Sequence, residues 1–182
     1  DVLPYFIRSE GNQRGASDYH GASGPLKVSD IGARHPLIEA FIQGAAELGV
    51  PRNNDFNGAE QTGAGYYQLN TFKGWRCSTA TAFLKPARRR RNLSIQTQAI
   101  GTGLIFDGKR AVGVRYCQDG VSKEARCTQE VLLAAGAVQS PQLLQLSGIG
   151  PKALLAQHGI PLLHDAPEVG SNLQDHLQIR LG

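Results

Sequence analysis

The chain of 182 residues has little of several things. Three cysteines, Cys77, Cys117 and Cys127, form no Cys-x-x-Cys pair. Their odd number cannot close into intramolecular disulfides without remainder, so a reducing compartment is expected and metal-thiolate sites are excluded. No apolar run approaches the ~20 residues of a membrane-crossing helix. His20, His35, His158, His164 and His176 show no metal-ligand spacing, and neither Ser140 nor Ser147 sits in a Gly-x-Ser-x-Gly elbow. Zinc, iron and serine-hydrolase chemistry are therefore not expected. Asp1 opens the sequence without methionine, basic leader or apolar h-region, so the chain is expected to be a piece of a longer protein with no targeting segment in view.

Apolar residues make up 41% of the chain and the formal charge is only +4, which argues against disorder. Arg88, Arg89, Arg90 and Arg91 stand in one run, and the rest of the chain is close to charge balance. The run is read as a solvated loop leading into a strand, with a nucleic-acid or acidic-lipid patch as the alternative.

Residues 1–35 are rich in Gly, Ser, Asp and Pro and read as irregular, with a short helical start at Val2 to Arg8. Leu37, Ile38, Phe41, Ile42, Ala45 and Leu48 recur at helical spacing between Pro36 and Gly49, which predicts an amphipathic helix. Asn53 to Gly65 is a polar loop, followed by a short strand at Gly65 to Asn70. A helix capped by Ser78 should run to a break at Pro86. Leu93, Ile95, Thr97 and Ala99 alternate as a strand, and the Asp107-Gly108 and Asp119-Gly120 turns predict a β-meander through Cys127. Val131 to Ala135 reads as a strand buried on both faces. It runs into a helix capped by Ser140 with Pro141 at its first position, ended by Gly148 and Gly150. A last helix is expected from Pro151 to His158, closed by Gly159.

The most informative stretch is Gly136-Ala137-Val138-Gln139-Ser140-Pro141 through Ser147-Gly148-Ile149-Gly150, followed by Asn172-Leu173-Gln174-Asp175-His176. With Leu3-Pro4-Tyr5-Phe6, Ser9-Glu10, His20-Gly21, Gly24-Pro25-Leu26, Asp55-Phe56-Asn57-Gly58, Arg76-x-Ser78, Arg91-Asn92-Leu93 and Arg110-Ala111-Val112-Gly113-Val114, it resembles the glucose-methanol-choline (GMC) family of FAD-dependent alcohol oxidoreductases, nearest the choline dehydrogenase branch. The resemblance spans almost the whole chain. Two departures stand out: Gly101, where relatives usually place valine, and Glu168, where they usually place glycine.

The resemblance implies an α+β fold that is a fragment of the GMC fold. Residues 1–86 would be part of the substrate or cap region, 87–150 meander, strand and helix of the FAD-binding domain, and 151–182 a return toward the substrate domain. It implies FAD as cofactor, with Gly101, Ala135 and Gly136 near its adenosine side, and a small-molecule alcohol oxidised to an aldehyde by hydride transfer to flavin. The family's Gly-x-Gly-x-x-Gly pyrophosphate fingerprint is missing, since Gly101-x-Gly103 and Gly148-x-Gly150 lack the third glycine. The family's catalytic histidine near the C-terminus has no counterpart either. No catalytic residue is assigned, and the isolated chain is expected to be inactive without the N- and C-terminal parts of its own chain.

Asp175-His176 could be an acid-base pair, but the polar neighbours favour a structural role around buried backbone groups. Leu146 to Ala153 also resembles a helix-hairpin-helix phosphate-binding motif, which makes a nucleic-acid module the alternative function; a non-catalytic structural remnant is a third reading. No nucleic acid is expected as partner. The expected location is cytoplasmic, with peripheral association at the inner face of the membrane as an extension.

Overall fold

A computed structural model describes residues 1–179. The chain divides into two compact units, Asp1–Ser94 and Ile95–Gly182.

In the first unit, helix α1 (Leu3–Ser9) leads into strand β1 (Glu10–Asn12), which pairs in parallel with β2 (Leu26–Val28). Neither strand announces itself in the sequence, since three residues are too few to show alternation. Helix α2 (Pro36–Glu47) forms where the spacing predicts it. His35 caps it by accepting from the Leu37 N–H, Pro36 occupies the first position, and Gly49 turns the chain away at φ +86°. The expected strand at Gly65 to Asn70 is reduced to single bridges, Arg52 to Ala64 and Ser29 to Leu69, with a two-residue hairpin of β3 (Thr71–Phe72) and β4 (Trp75–Arg76) beyond it.

Ser78 does accept a hydrogen bond from the Thr81 N–H, but the turn that follows is π-helical (Ala80–Leu84) and continues as α3 (Lys85–Ala87). Pro86 therefore does not end it. The Lys85 N–H still closes the π-turn on the Ala80 carbonyl, and the helix runs only one residue beyond Pro86, to Ala87. Ile42, Cys77 and Ala82 are this unit's buried apolar side chains.

The second unit is built on the meander β5 (Ala99–Asp107), β6 (Arg110–Gln118) and β7 (Val121–Arg126). Gly108 and Gly120 take the positive φ at the two turns, and Asp119 shares it. Cys117 pairs with Ser122 and the Cys127 N–H bonds to the Val112 carbonyl, so these thiols do not face one another. Leu93 to Thr97 is not strand.

Val131 to Ala135 is not strand either. No strand among the described residues pairs with it, and Leu132 is 82% exposed, so the apolar run has neither ladder nor cover within this chain. Helix α4 (Gly136–Leu146) starts four residues before Ser140, which lies inside it with Pro141. The start is set by the positive φ of Gly136, and Ser140 reaches back to accept the Ala135 N–H at 3.0 Å instead of capping.

Gly148 (φ +85°) ends α4. Strand β8 (Ile149–Gly150) pairs in parallel with β9 (His164–Asp165), and α5 (Lys152–Gln157) closes at Gly159. The core here is Ile105, Leu143 and Leu155, the last only 1% exposed.

Candidate cofactor-facing site

Three features of the second unit converge on α4. The first is its beginning. Ala135 is the N-cap residue and offers no side-chain acceptor, while Gly136 holds φ +90°. A Cβ at Gly136 would meet nothing within 4 Å, so the glycine is required by conformation and the space above it is open. The first-turn N–H groups have no intrahelical acceptors and no side-chain cap. At the end of an eleven-residue helix they carry the positive end of its dipole.

The second feature is a concavity of ≈ 650 Å³ against the first turns of α4, walled by Val138, Pro141 and Gln142 on one side and by Glu168, Val169 and Leu173 on the other. Gln145 holds the far wall by donating from Nε2 to the Val169 carbonyl at 2.9 Å. Gly170 takes φ +89°, and a Cβ there would stand 2.6 Å from that same Nε2, so the Gln145 side chain would have to give up its tie to make room. Glu168 takes no positive φ; its carboxylate accepts from Asn172 Nδ2 at 2.9 Å, and Asn172 itself carries φ +54°. The positive φ values of this loop fall on Gly170 and Asn172.

The third is a bulge in β5. Gly101 pairs with Tyr116 and Gly103 with Arg115, leaving Thr102 unmatched. A Cβ on Gly101 would lie 3.5 Å from Leu143 Cδ2, so this glycine faces the middle of α4. Leu143 follows Gly136 by seven residues, about 10 Å along the axis. Gly101 and the Ala135-Gly136 turn therefore belong to one packed element pair without touching. Just past the bulge, the Leu104 N–H donates to Ser147 Oγ at 2.8 Å.

Other candidates fare differently. Asp175 and His176 are exposed, and Asp175 accepts only the backbone N–H of His176, at 2.8 Å. The pair surrounds no buried backbone group among the described residues. At the Leu146 to Ala153 turn, Asp165 Oδ1 accepts the Lys152 N–H at 3.1 Å. A carboxylate already occupies the helix start where a phosphate would sit, and would repel one. No group of three or more metal-ligating side chains occurs among the described residues.

A polar cluster in the first unit escaped the sequence reading. His20, nearly buried, donates through Nδ1 to Glu10 at 2.9 Å and through Nε2 to Asp55 at 2.9 Å. Burial alone would lower its pKa, but hydrogen bonds and charge from Glu10 and Asp55 outweigh it, and the value is raised above 6.5. Next to it, Asn12 and Gln68 exchange hydrogen bonds, and Gln68 also donates to Asp30. The Arg14 hydrogen bond holds the Asp30 carboxyl below the usual carboxylate range, against a smaller effect of burial. A concavity of ≈ 400 Å³ lined by Phe6, Tyr19, His20 and Asn57 opens beside this network. Separations of 10 and 35 residues from His20 to its partners leave no local signature.

The GMC oxidoreductase family model matches residues 1–178. The chain belongs to the GMC oxidoreductase family. This GMC chain is 47% identical over 183 residues to an oxygen-dependent choline dehydrogenase of Pectobacterium atrosepticum, covering 100% of this chain and 33% of the relative. It is 48% identical over 179 residues to an alcohol dehydrogenase [acceptor] of Pseudomonas putida, covering 97% and 32%. Among solved structures it resembles pyridoxine 4-oxidase from Mesorbium loti (TM-score 0.86, 35% identity, 92% of this chain and 33% of that one). It also resembles an FAD-dependent oxidoreductase from Chaetomium thermophilum (TM-score 0.88, 30% identity, 96% and 33%). The GMC segment thus spans about a third of the length of the relatives it matches.

The α4 start fits part of the family's cofactor. Unfilled space over Gly136 admits a flat group to backbone contact, and uncapped N–H donors suit its polar or anionic edges. Nothing among the described residues supplies the glycine-rich turn for a pyrophosphate.

Proposed function

We propose that this chain is the part of an FAD-dependent, choline dehydrogenase-like alcohol oxidoreductase that seats the adenosine side of the cofactor and walls the substrate cavity. The observation that carries the reading is the open, uncapped start of α4 at Gly136 in a chain of this family. When bound, FAD supplies the acceptor for the hydride that leaves the alcohol carbon as the aldehyde forms.

The chain's own residues hold and shape. Ala135 and Gly136 offer backbone groups to the cofactor, and Ser140 fixes the turn by tying down the Ala135 N–H. Gly101 lies opposite Leu143 at the β5 bulge, which places the strand edge beside the same helix. In residues 1–86, the concavity beside Phe6 and Tyr19 is the stretch of cavity wall this segment contributes to a small alcohol. The base that takes the hydroxyl proton lies outside the segment, so the isolated chain is inactive and holds flavin weakly. The exposed faces of Leu132, Trp75 and Leu37 support this division, because apolar area of this kind is normally covered. Three cysteines without disulfide partners support a reducing, cytoplasmic setting.

The test is Gly136→Asn in the intact protein. Asparagine tolerates positive φ better than other residues, so the helix should persist while its side chain fills the open space. Flavin content, read from the visible absorbance of the purified protein, should fall at least tenfold with unchanged far-ultraviolet circular dichroism. Full flavin content would remove the proposal.

A further inference from the structure

We propose that His20 is a positioning residue for the alcohol, an imidazolium clasp that holds the Asn57 side of the ≈ 400 Å³ concavity to β1, a role that rests on the reading of that concavity as substrate-cavity wall. Every tie involved joins residues of the first unit, and the remainder of the intact protein can only deepen its burial. One jaw of the clasp is fixed. The His20-Gly21 turn packs so closely on α1 that a Cβ at Gly21 would stand 1.8 Å from the Ile7 carbonyl oxygen. The Asn12 N–H donates to the Gly21 carbonyl at 2.8 Å, and the Gly24 N–H to the Glu10 carbonyl at 2.7 Å. The Glu10 carboxylate accepts from His20 Nδ1 at 2.9 Å, from the Gly21 N–H at 3.1 Å and from Asn12 Nδ2 at 3.1 Å.

The other jaw is the loop from Asn53 to Gly65. Most of its bonds close on the loop itself: Asn53 Nδ2 donates to the Glu60 and Thr62 carbonyls, and the Asn57 N–H donates to Asp55 Oδ1 at 3.1 Å. Among the described residues, two side-chain hydrogen bonds tie it to the stretch from β1 to His20. Arg14 donates to the Asn54 carbonyl, and His20 Nε2 donates to Asp55 Oδ2 at 2.9 Å. The Asp55 carboxylate thus bridges the imidazole to the Asn57 backbone. Tyr19, next to His20, and Asn57 both line the concavity.

The clasp depends on charge. Carboxylates accept from both ring nitrogens at once, which only the doubly protonated imidazole satisfies. When one proton leaves, one nitrogen turns a lone pair toward a carboxylate and repels it. Glu10 keeps two other donors on fixed backbone, whereas Asp55 stands on the loop and can move away, so the bond that opens is the one to Asp55. The charged groups facing the ring are Glu10 from β1 and Asp55 from the loop. Arg14 and Asp30 pair with one another at 2.7 Å beyond Asn12 and Gln68, and Lys27 of β2 donates to the Gly24 carbonyl at 2.9 Å. Burial alone would lower the ring's pKa, but the hydrogen bonds and charge of the two carboxylates raise it above 6.5. The clasp is therefore closed on the acidic side and opens as pH rises through the folded value.

The test uses the intact holoprotein with choline as the probe alcohol. Wild-type KM should rise at least about fivefold as pH rises through the His20 titration, with kcat affected far less. Asp55→Ala should show the raised KM already at the acidic end and no further rise. Asp55→Asn should keep KM low throughout, because its amide accepts from a protonated Nε2 and donates to a bare one. Amide exchange with and without choline separates the clasp from the reading beneath it. Choline should slow exchange at Tyr19 to His20 and at Asn57; with that slowing present, an Asp55→Ala KM equal to wild type, or a rise with pH retained in Asp55→Asn, would overturn the clasp and leave the cavity wall standing. No slowing at either stretch would overturn the cavity wall, and the positioning role with it.

Discussion

Ser147 Oγ donates to the Leu143 carbonyl at 2.6 Å and accepts the Leu104 N–H at 2.8 Å, so one hydroxyl joins the last turn of α4 to the β5 strand just beyond its bulge. Leu104 pairs in register with Val114, and β5 is an edge strand of its sheet, so the side chain of a helix residue supplies the acceptor that no neighbouring strand among the described residues offers. Ser147→Ala should leave that part-buried N–H without an acceptor, costing about 1–3 kcal/mol. Urea denaturation and amide exchange check this together, with faster exchange expected at Leu104 and not at the β6-β7 pairs.

Two glycines at the ends of the same helix should respond differently to alanine. Gly136 has positive φ but open space, so Gly136→Ala should cost only about 1 kcal/mol. Gly148 has positive φ as well, and a Cβ there would lie 2.5 Å from the Pro161 carbonyl oxygen. Gly148→Ala should cost about 2–4 kcal/mol, because backbone must move as well as strain. Thermal unfolding of the two variants side by side measures the difference.

Gly101→Ala should stabilise the chain by about 0.5–1 kcal/mol. A Cβ there makes ordinary contact with Leu143 at 3.5 Å, the backbone φ is not positive, and glycine is a poor strand residue. A lowered denaturation midpoint would show that the strand edge needs its small residue for packing.

His20 makes the first unit pH-dependent. Its pKa is raised in the folded state, so its contribution is fully present below 6.5 and fades as pH rises through the higher folded value. Asp30 acts in the opposite sense: lowered in the folded state, it stabilises above its ordinary value and is lost as pH falls through the folded one. Denaturant midpoints across these ranges should therefore fall on both sides. His20→Ala should remove the alkaline decline and cost about 1–3 kcal/mol, since half-buried Glu10 would lose its counter-charge while the more exposed Asp55 is partly screened.

How far the sequence could be read followed from how local each cause was. Pro36 and Gly49 bracket α2, and the Asp-Gly pairs at 107–108 and 119–120 mark the meander, because caps and tight turns depend on adjacent residues. Val131 to Ala135 read as a buried strand because its composition is apolar; composition does not reveal whether a partner strand lies beside it. Pro141 suggested a helix start, yet the conformation of Gly136, five residues earlier, decides it. The His20 cluster joins side chains from three distant stretches, and only the fold assembles it. At the cofactor-facing site, the glycines were legible as residues; the wall built by Glu168 to Leu173 and the Gln145 tie behind it were not.

The central claim is that the start of α4 faces the cofactor, and hydrogen exchange of the intact protein with and without FAD tests it most directly. The account predicts that amides from Gly136 to Gln139 slow markedly on FAD binding, because their N–H groups gain acceptors and lose access to water. Unchanged exchange there, with protection appearing elsewhere in the protein, would contradict it.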